Sequence, residues 1–404
     1  MAGRTVFVAT YPPRRCGIAT FTRDLADSTG DYEIAALHSP GDTDLYPSEV
    51  RHRIRRDRLA DYLEVAHDLN RSSAGVVSVQ HEYGIWGGDD GKFVLDFVRA
   101  LTKPVVTTLH TVPQNPTARQ RAILVGLIGA SAASVVMSQS AARLLTRVYG
   151  IVPNRLDVVP HGVPSLPLVA PDTIKPGLGL APGPVILSFG LLGPGKGYET
   201  VIEAMPSVIE ADPDARYVVL GATHPELLRR EGEAYRTRLM RLADALGVSA
   251  NVLFVDRYVT RTELGTWLEA ADIFVTPYPN REQIVSGTLA YAMSAGKAVV
   301  STPYPYAVEM LEVGRGRLVP AGSSKDFADV LSELLRDPDL RNQLGRQAYE
   351  FSRTMIWPEV GARYVRIFSR VGATATQPVE RVQPVERVQP AEPAERAEVG
   401  YGRA

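Results

Sequence analysis

The chain holds a single cysteine, Cys16, in 404 residues. No intramolecular disulfide can form, so the fold must rest on packing, and a reducing, cytoplasmic setting is the natural expectation. Neither sign of charge is in excess: 44 Lys and Arg stand against 45 Asp and Glu, for a net charge of −1. That balance gives no general pull toward nucleic acid or an acidic membrane. Long apolar runs are missing too. None approaches the ~18 residues that a membrane span requires. The short apolar run in the opening MAGRTVFVATYPP reads as a first buried strand, not as a secretion signal. What is present is an ordinary globular composition, 45% apolar and 22% charged. At this length one hydrophobic core is not enough, and two domains are expected.

Apolar β-branched runs alternate with helical patterns. TVFVAT (from Thr5), YEIAALH (from Tyr32), GVVSVQ (from Gly75) and PVVTTL (from Pro104) predict strands. Several lack polar alternation, as in parallel sheets covered on both faces. Helical spacing falls between them, at Ile18–Asp27, Asp61–Leu69, Arg119–Ile128 and Ala141–Tyr149. Gly162–Pro184 then breaks the pattern with six prolines. The alternation resumes with strands near 185–189, 216–220, 251–255, 273–276, 298–301 and 316–319, and one long helix is expected over Pro225–Leu246. The fold class is therefore α/β, with two Rossmann-like parallel sheets. The expected divisions are a first domain over 1–165, a linker over 166–184, a second domain over 185–356, a returning helix over 357–371 and a tail over 372–404. The tail carries QPVERV twice and too little apolar surface to order itself.

The second domain opens on VILSFGLLGPGKGYET (from Val185): a strand, a glycine-rich loop with one lysine, then a helix. Backbone N–H groups and an ammonium at such a place favour phosphate. Gly190 to Lys196 fill the first seven positions of a Walker A loop, but the eighth, which should be Ser or Thr for magnesium, is Gly197. No G-x-G-x-x-G fingerprint follows a first strand in either half. A plain tight turn at Gly193–Gly195 with a solvated Lys196 is the alternative to a ligand site. A second helix start, Ser286-Gly287-Thr288, offers hydroxyls and free N–H groups about ninety residues later. An ordinary N-cap would also account for it.

In these blocks the chain resembles the two-domain glycosyltransferases of family 4, which have the GT-B fold. The residues that carry the resemblance are VVPHGVP (Val158–Pro164), SFGLLGPGKGYETVIEAM, ADIFVTPY followed by SGTLAYAMSAGKAVVSTP, and GRGRLVPAGS (Gly314–Ser323). It spans about Thr5 to Arg370. The resemblance implies a nucleotide-diphospho-sugar in the second domain and a glycan or other hydroxyl acceptor in the first. It further implies transfer in the cleft between them, with retention and without an obligatory metal or other cofactor. Lys196 falls on the family's pyrophosphate-binding lysine, with Gly195 beside it. Leu191 stands where an arginine is usual. Gln283 and Tyr291 stand on the two glutamates of the Glu-x7-Glu motif, for donor sugar and ribose, and Glu282 is the neighbouring carboxylate. Glu309 resembles a glutamate found near the donor.

In the first domain, Arg15 and Gly17 precede the first helix, and Gly17 matches the family's glycine loop near donor phosphate. Cys16 reads as a small buried residue or as a thiol activated by its helix start. His81 and Glu82 end one strand and read as acceptor-side groups. His110 ends the next, where the family places a histidine near the transferred sugar, and His161 reads as structural. RHRIRRDR (Arg51–Arg58) reads as a solvated strand edge, with weak contact to anionic lipid as the alternative. Lys196, Gln283 and His110 are thus the candidate catalytic residues. Ser286, Gly287 and Thr288 join the donor site. The expected reaction is hexosyl transfer from a UDP-, GDP- or ADP-linked sugar. An epimerase of the same plan and a non-catalytic nucleotide or sugar binder are the alternatives.

Overall fold

The protein is described by a computed structural model covering residues 3–39, 45–152 and 156–374. Most of the expected tail lies outside these residues. The first sheet contains β1 (Thr5–Ala9), β2 (Tyr32–His38), β3 (Val50–Arg55), β4 (Val76–His81), β5 (Val105–Leu109), β6 (Ala133–Val136) and β7 (Leu156–Val158). Its helices are α1 (Gly17–Thr29), α2 (Leu59–Arg71), α3 (Phe93–Ala100), α4 (Ala118–Ala130) and α5 (Gln139–Leu144). The second sheet contains β8 (Val185–Phe189), β9 (Arg216–Leu220), β10 (Val252–Val255), β11 (Ile273–Thr276), β12 (Ala298–Ser301) and β13 (Gly316–Leu318). Around it lie α6 (Tyr198–Ala211), α7 (Pro225–Glu231), α8 (Ala234–Ala245), α9 (Arg261–Ala270), α10 (Gly287–Ser294), α11 (Pro305–Leu311), α12 (Ser324–Arg336) and α13 (Pro338–Ser352). The chain ends its described course in α14 (Trp357–Thr374).

Every strand pairing is parallel. The orders are β3-β2-β1-β4-β5-β6-β7 and β10-β9-β8-β11-β12-β13. Chain direction across the sheet reverses between β1 and β4 and again between β8 and β11. At such a switch the flanking loops part and leave a crevice at the carboxyl ends of the strands. The loops after β1, β4, β8 and β11 carry Gly17, Glu82, Lys196 and Gln283, so the topology puts the candidate residues at both crevices. Strands β1, β4 and β5 are buried along their whole length, which is why they read as unbroken apolar runs. β3 alternates exposed arginines with inward residues at the open edge of the first sheet, as the solvated-edge reading expects.

Two chain segments cross between the sheets, and they run side by side. Val163 N–H donates to Met355 O (2.9 Å) and Trp357 N–H donates to Val163 O (3.0 Å). The linker is pinned by the buried Lys175, whose ammonium lies 2.8 Å from Asp272 and donates to Gly183 O at 2.8 Å. From there α14 returns to pack against α1, with Trp357, Tyr364 and Phe368 in one cluster with Phe7 and Phe21.

Two helix expectations need correction. Pro225–Leu246 is two helices, because Gly232 takes φ 61°, outside the helical range, and ends the first. Ala141–Tyr149 is regular only to Leu144; residues 145–149 form a π-helical turn closed by Gly150 at φ 73°.

Candidate active site

The glycine loop after β8 does not run straight into its helix. Pro194–Lys196 form a short 3-10 turn, and α6 starts at Tyr198 after Gly197. Gly197 has φ 70°, and a Cβ there would lie 2.0 Å from Pro277 O. Neither serine nor threonine fits. This accounts for the missing magnesium hydroxyl of the Walker pattern, and Lys196 lies in the turn before α6. The Lys196 ammonium sits 4.4 Å from the centroid of the Tyr278 ring, a cation–π distance. The Tyr278 hydroxyl is hydrogen-bonded to Thr288 Oγ (2.8 Å), and Thr288 Oγ to Ser286 Oγ (3.1 Å). Ser286 caps α10 by accepting from Leu289 N–H (3.4 Å). Lys196, Tyr278, Thr288 and Ser286 therefore form one continuous arrangement. It places an ammonium and a helix N-terminus together, two features that each favour a diphosphate. A cavity of about 300 Å³ adjoins the loop, between Lys196, Leu191 and the side chains of His224 and Arg230.

Gly287 begins α10 against His161. The His161 Nδ1–H donates to Gly162 O (2.7 Å), since a carbonyl only accepts. Burial pushes this imidazole down to about 4, so it is neutral near pH 7. A Cβ on Gly287 would meet the ring's Nε2 at 2.9 Å. The glycine is thus required by close approach of the hinge histidine.

Three of the expected donor-site side chains bond to the first domain. Tyr291 is buried, and its hydroxyl donates to Asp24 Oδ2 of α1 (3.2 Å), not into an open ribose pocket. Glu309 reaches across to the first domain, where it accepts from Gln139 N–H (2.8 Å), Ser140 N–H (2.7 Å) and Ser140 Oγ (2.6 Å). It caps α5, whose first-turn donors have no partner within the helix. Glu282 accepts from Asn115 Nδ2 of the first domain (2.9 Å). Gln283 stays beside the cradle and donates to Val285 O (2.9 Å).

On the first-domain side, Gly17 starts α1 with open space where a Cβ would be. Cys16 is the helix N-cap. Its thiol accepts from Ala19 N–H (3.3 Å) and contacts Thr10 Oγ (3.2 Å). The Arg15 guanidinium lies over the Tyr258 ring of the second domain at 5.6 Å, so it bridges the domains. His110 Nε2–H donates to Gln80 Oε1 (2.9 Å), and its ring meets Phe21 edge-on at 4.7 Å. Phe21 also meets His161 at 5.0 Å and Trp357 at 5.4 Å. Burial lowers His110 to about 3, which makes it a neutral imidazole suited to hydrogen bonding, not to charge. Glu82 accepts from the Thr111 hydroxyl, and burial raises its carboxyl above the usual range. His81 is wholly buried with neither ring nitrogen partnered.

The second sheet's loop at 281–285 also plugs into the first domain. Ile284, 3% exposed, joins the first domain's apolar core, and its carbonyl accepts from Ser138 Oγ (3.0 Å). Beside it, at the seam, lies a cavity of about 710 Å³ bordered by Arg143, Arg147, Leu144, Val158, Ile284 and Pro305. Asp24, Ile284 and this seam were not singled out from the sequence; each depends on pairing of residues more than a hundred positions apart. Among the described residues no helix is long and apolar enough to cross a membrane.

Two Rossmann-like parallel-sheet domains joined by paired crossing segments define the GT-B architecture. The family described as Glycosyl transferases group 1 matches residues 172–351, and Glycosyltransferase Family 4 matches residues 18–165. The D-inositol 3-phosphate glycosyltransferase of Xylanimonas cellulosilytica is 30% identical over 297 residues, covering 68% of each chain. The phosphatidyl-myo-inositol mannosyltransferase of Mycobacterium leprae is 27% identical over 187 residues, 46% of each chain. The chain belongs to glycosyltransferase family 4. It spans about two thirds of the length of a Catenulispora acidiphila relative (65%) and 56% of a Corynebacterium glutamicum one. In solved structures the fold recurs in HepE of Anabaena, determined with UDP and glucose. The TM-score is 0.74 at 16% identity, over 91% of this chain and 100% of that one. It recurs also in sucrose-phosphate synthase of Thermosynechococcus elongatus, with TM-score 0.76 at 16% identity, over 92% and 100%.

Proposed function

We propose that the protein transfers a hexose from a nucleotide-diphosphate sugar, UDP-, GDP- or ADP-linked, to a hydroxyl acceptor. The observation that carries this reading is the convergence of Lys196, Tyr278 and Thr288 on the capped start of α10. A departing diphosphate gains one negative charge as the anomeric C–O bond breaks, and a preorganised ammonium with helix N–H groups answers it without reorganisation. The lysine acts here in place of an Arg–Lys pair, with the Ser286 and Thr288 hydroxyls as additional donors. Gln283 and neutral His110 hold the sugar by hydrogen bonds, and Glu82 with Thr111 orients the acceptor hydroxyl. Domain closure excludes water from the cleft. Retention at the anomeric carbon and independence of metal are part of the proposal, as is a cytoplasmic location, which suits the single unpaired Cys16. The relatives named for inositol phosphate and phosphatidylinositol make these the first acceptors to try.

The test is a thermal-shift panel of UDP, GDP, ADP and their sugar conjugates, followed by transfer assays with the donor that responds. One nucleotide family should raise Tm, and Lys196→Ala should lose most of that shift. Loss of about 1.5–3 kcal/mol of binding corresponds to a ~10- to 150-fold weaker Kd, the range for a charge-assisted contact. An unchanged response in Lys196→Ala would remove the lysine from the site.

A further inference from the structure

Helix α10 belongs to the second sheet by sequence, yet the first domain holds it at two places. At its side, Tyr291 donates to Asp24 Oδ2 (3.2 Å). Asp24 is 1% exposed, and its other oxygen has no hydrogen bond but faces Arg261 Nη1 of α9 at 3.2 Å and its own neighbour Arg23 at 3.7 Å. A buried carboxylate held this way is expensive to strip of its partners. It therefore fixes α1 against α9 and α10 together. At its leading loop, Ile284 is seated in the first domain's core, and Ser138, itself the cap of α5, donates to the Ile284 carbonyl. Two residues after Ile284 comes Ser286, the cap of α10, and two further on Thr288, the partner of Tyr278 beneath Lys196. The cradle is thus set between two attachments that both come from the other domain.

We propose that Asp24 and Ile284 are positioning residues: they fasten α10 to the first domain, so that docking of the acceptor-side domain sets the geometry of the diphosphate cradle. This rests on reading the start of α10 as a diphosphate site. Neither residue touches the cradle itself. Both act through the helix, Asp24 through Tyr291 and Ile284 through the loop that ends at Ser286. The consequence is that the leaving group is gripped fully only when the domain that carries the acceptor is in place, which protects the donor from transfer to water.

The test compares Asp24→Asn, Tyr291→Phe and Ile284→Ala with the unaltered full chain, and includes Ile284→Leu as the conservative variant. Hydrogen exchange of residues 280–294 should quicken by about tenfold in the first three, with the strands of both sheets unchanged, because local opening no longer breaks an interdomain bond. Affinity for whichever of UDP, GDP or ADP raises Tm should weaken by about tenfold, with Ile284→Leu near the unaltered value. Tyr291→Phe removes one hydroxyl only and keeps the measurement open should Asp24→Asn fold poorly. Unchanged exchange over 280–294 in all of the variants overturns the proposal, as does faster exchange spread evenly over both domains. If none of the three nucleotides binds the unaltered protein, the diphosphate reading falls, and the exchange pattern alone decides whether α10 is coupled to docking.

Discussion

A buried histidine whose ring nitrogens have no hydrogen-bond partner is the sharpest residue-level feature of the described residues. His81 is fully buried, and burial holds it down to about 3; His110 is likewise near 3 and His161 near 4. An unfolded histidine titrates near 6.5. As pH falls below that value the unfolded chain takes up protons that the folded imidazole refuses, so each lowered histidine makes folding less favourable as pH falls. The raised carboxyls of Glu82 and Asp24 act in the opposite direction, since the folded state protonates them first. A substitution isolates the histidine's share. His81→Leu should gain about 2 kcal/mol in stability relative to the unaltered protein between about pH 7 and pH 5, by the proton-linkage slope of ~1.4 kcal/mol per pH unit. Urea unfolding at the two pH values measures it, and parallel curves would show that His81 is not neutral in the folded state. Residues such as Lys196 and Ser286 were legible in the sequence because their meaning is local: a loop, a cap, a helix start. Cys16 was not, although its role as a cap is equally local, because a thiol seldom takes a place that hydroxyls and carboxylates dominate. Asp24, and the first-domain partners of Tyr291 and Glu309, were not legible because each bond joins the two domains.

At the scale of elements, the alternation of strands and helices carried nearly all of both sheets, since parallel strands buried on both faces leave an unmixed apolar trace. It failed where a helix changes character without a change in periodicity. Glycine at 232 sits inside a good amphipathic pattern, and the π-helical turn after Leu144 keeps apolar residues facing inward. Nor did the proline-rich linker announce that it carries a buried charge. Lys175 lies 2.8 Å from Asp272, which also accepts from Val185 N–H (2.9 Å) and lies 3.7 Å from Arg341. Lys297 is close enough to feel Asp272, and burial lowers its ammonium to about 8. One carboxylate at the start of β11 thus neutralises several cations and ties the linker to the second sheet. Asp272→Ala should lower stability by about 3 kcal/mol, because it leaves the buried Lys175 ammonium with only the exposed Asp172, 2.6 Å away, as an ionic partner. Lys175→Met combined with Asp272→Leu should lose much less, since neither charge then remains. Denaturant midpoints of the three proteins decide this; equal losses would mean that the pair acts only as packing.

For the whole molecule, the two crossings between domains matter more than either sheet. Linker and return segment bond to one another at Val163 and Trp357, and the hinge has almost no spare volume there. A Cβ added at Gly162 would stand 2.2 Å from the Trp357 ring. That ring is packed in turn against Phe21, 5.4 Å away, and Phe21 against His110. The same aromatic column therefore links the hinge, the first helix and the candidate sugar-binding histidine, so a change in hinge volume must be felt in the cleft. Gly162→Ala should destabilise the protein by about 1–3 kcal/mol, the usual range for forcing a methyl into a filled core. Trp357→Leu alone should also destabilise, by leaving space beside Phe21. In the double variant the new methyl occupies part of the space the indole vacates. The combined loss should therefore fall short of the sum of the single losses by about 1 kcal/mol or more. A urea-unfolding cycle over the four proteins measures that difference. Strict additivity would mean that Gly162 and Trp357 do not share the hinge volume.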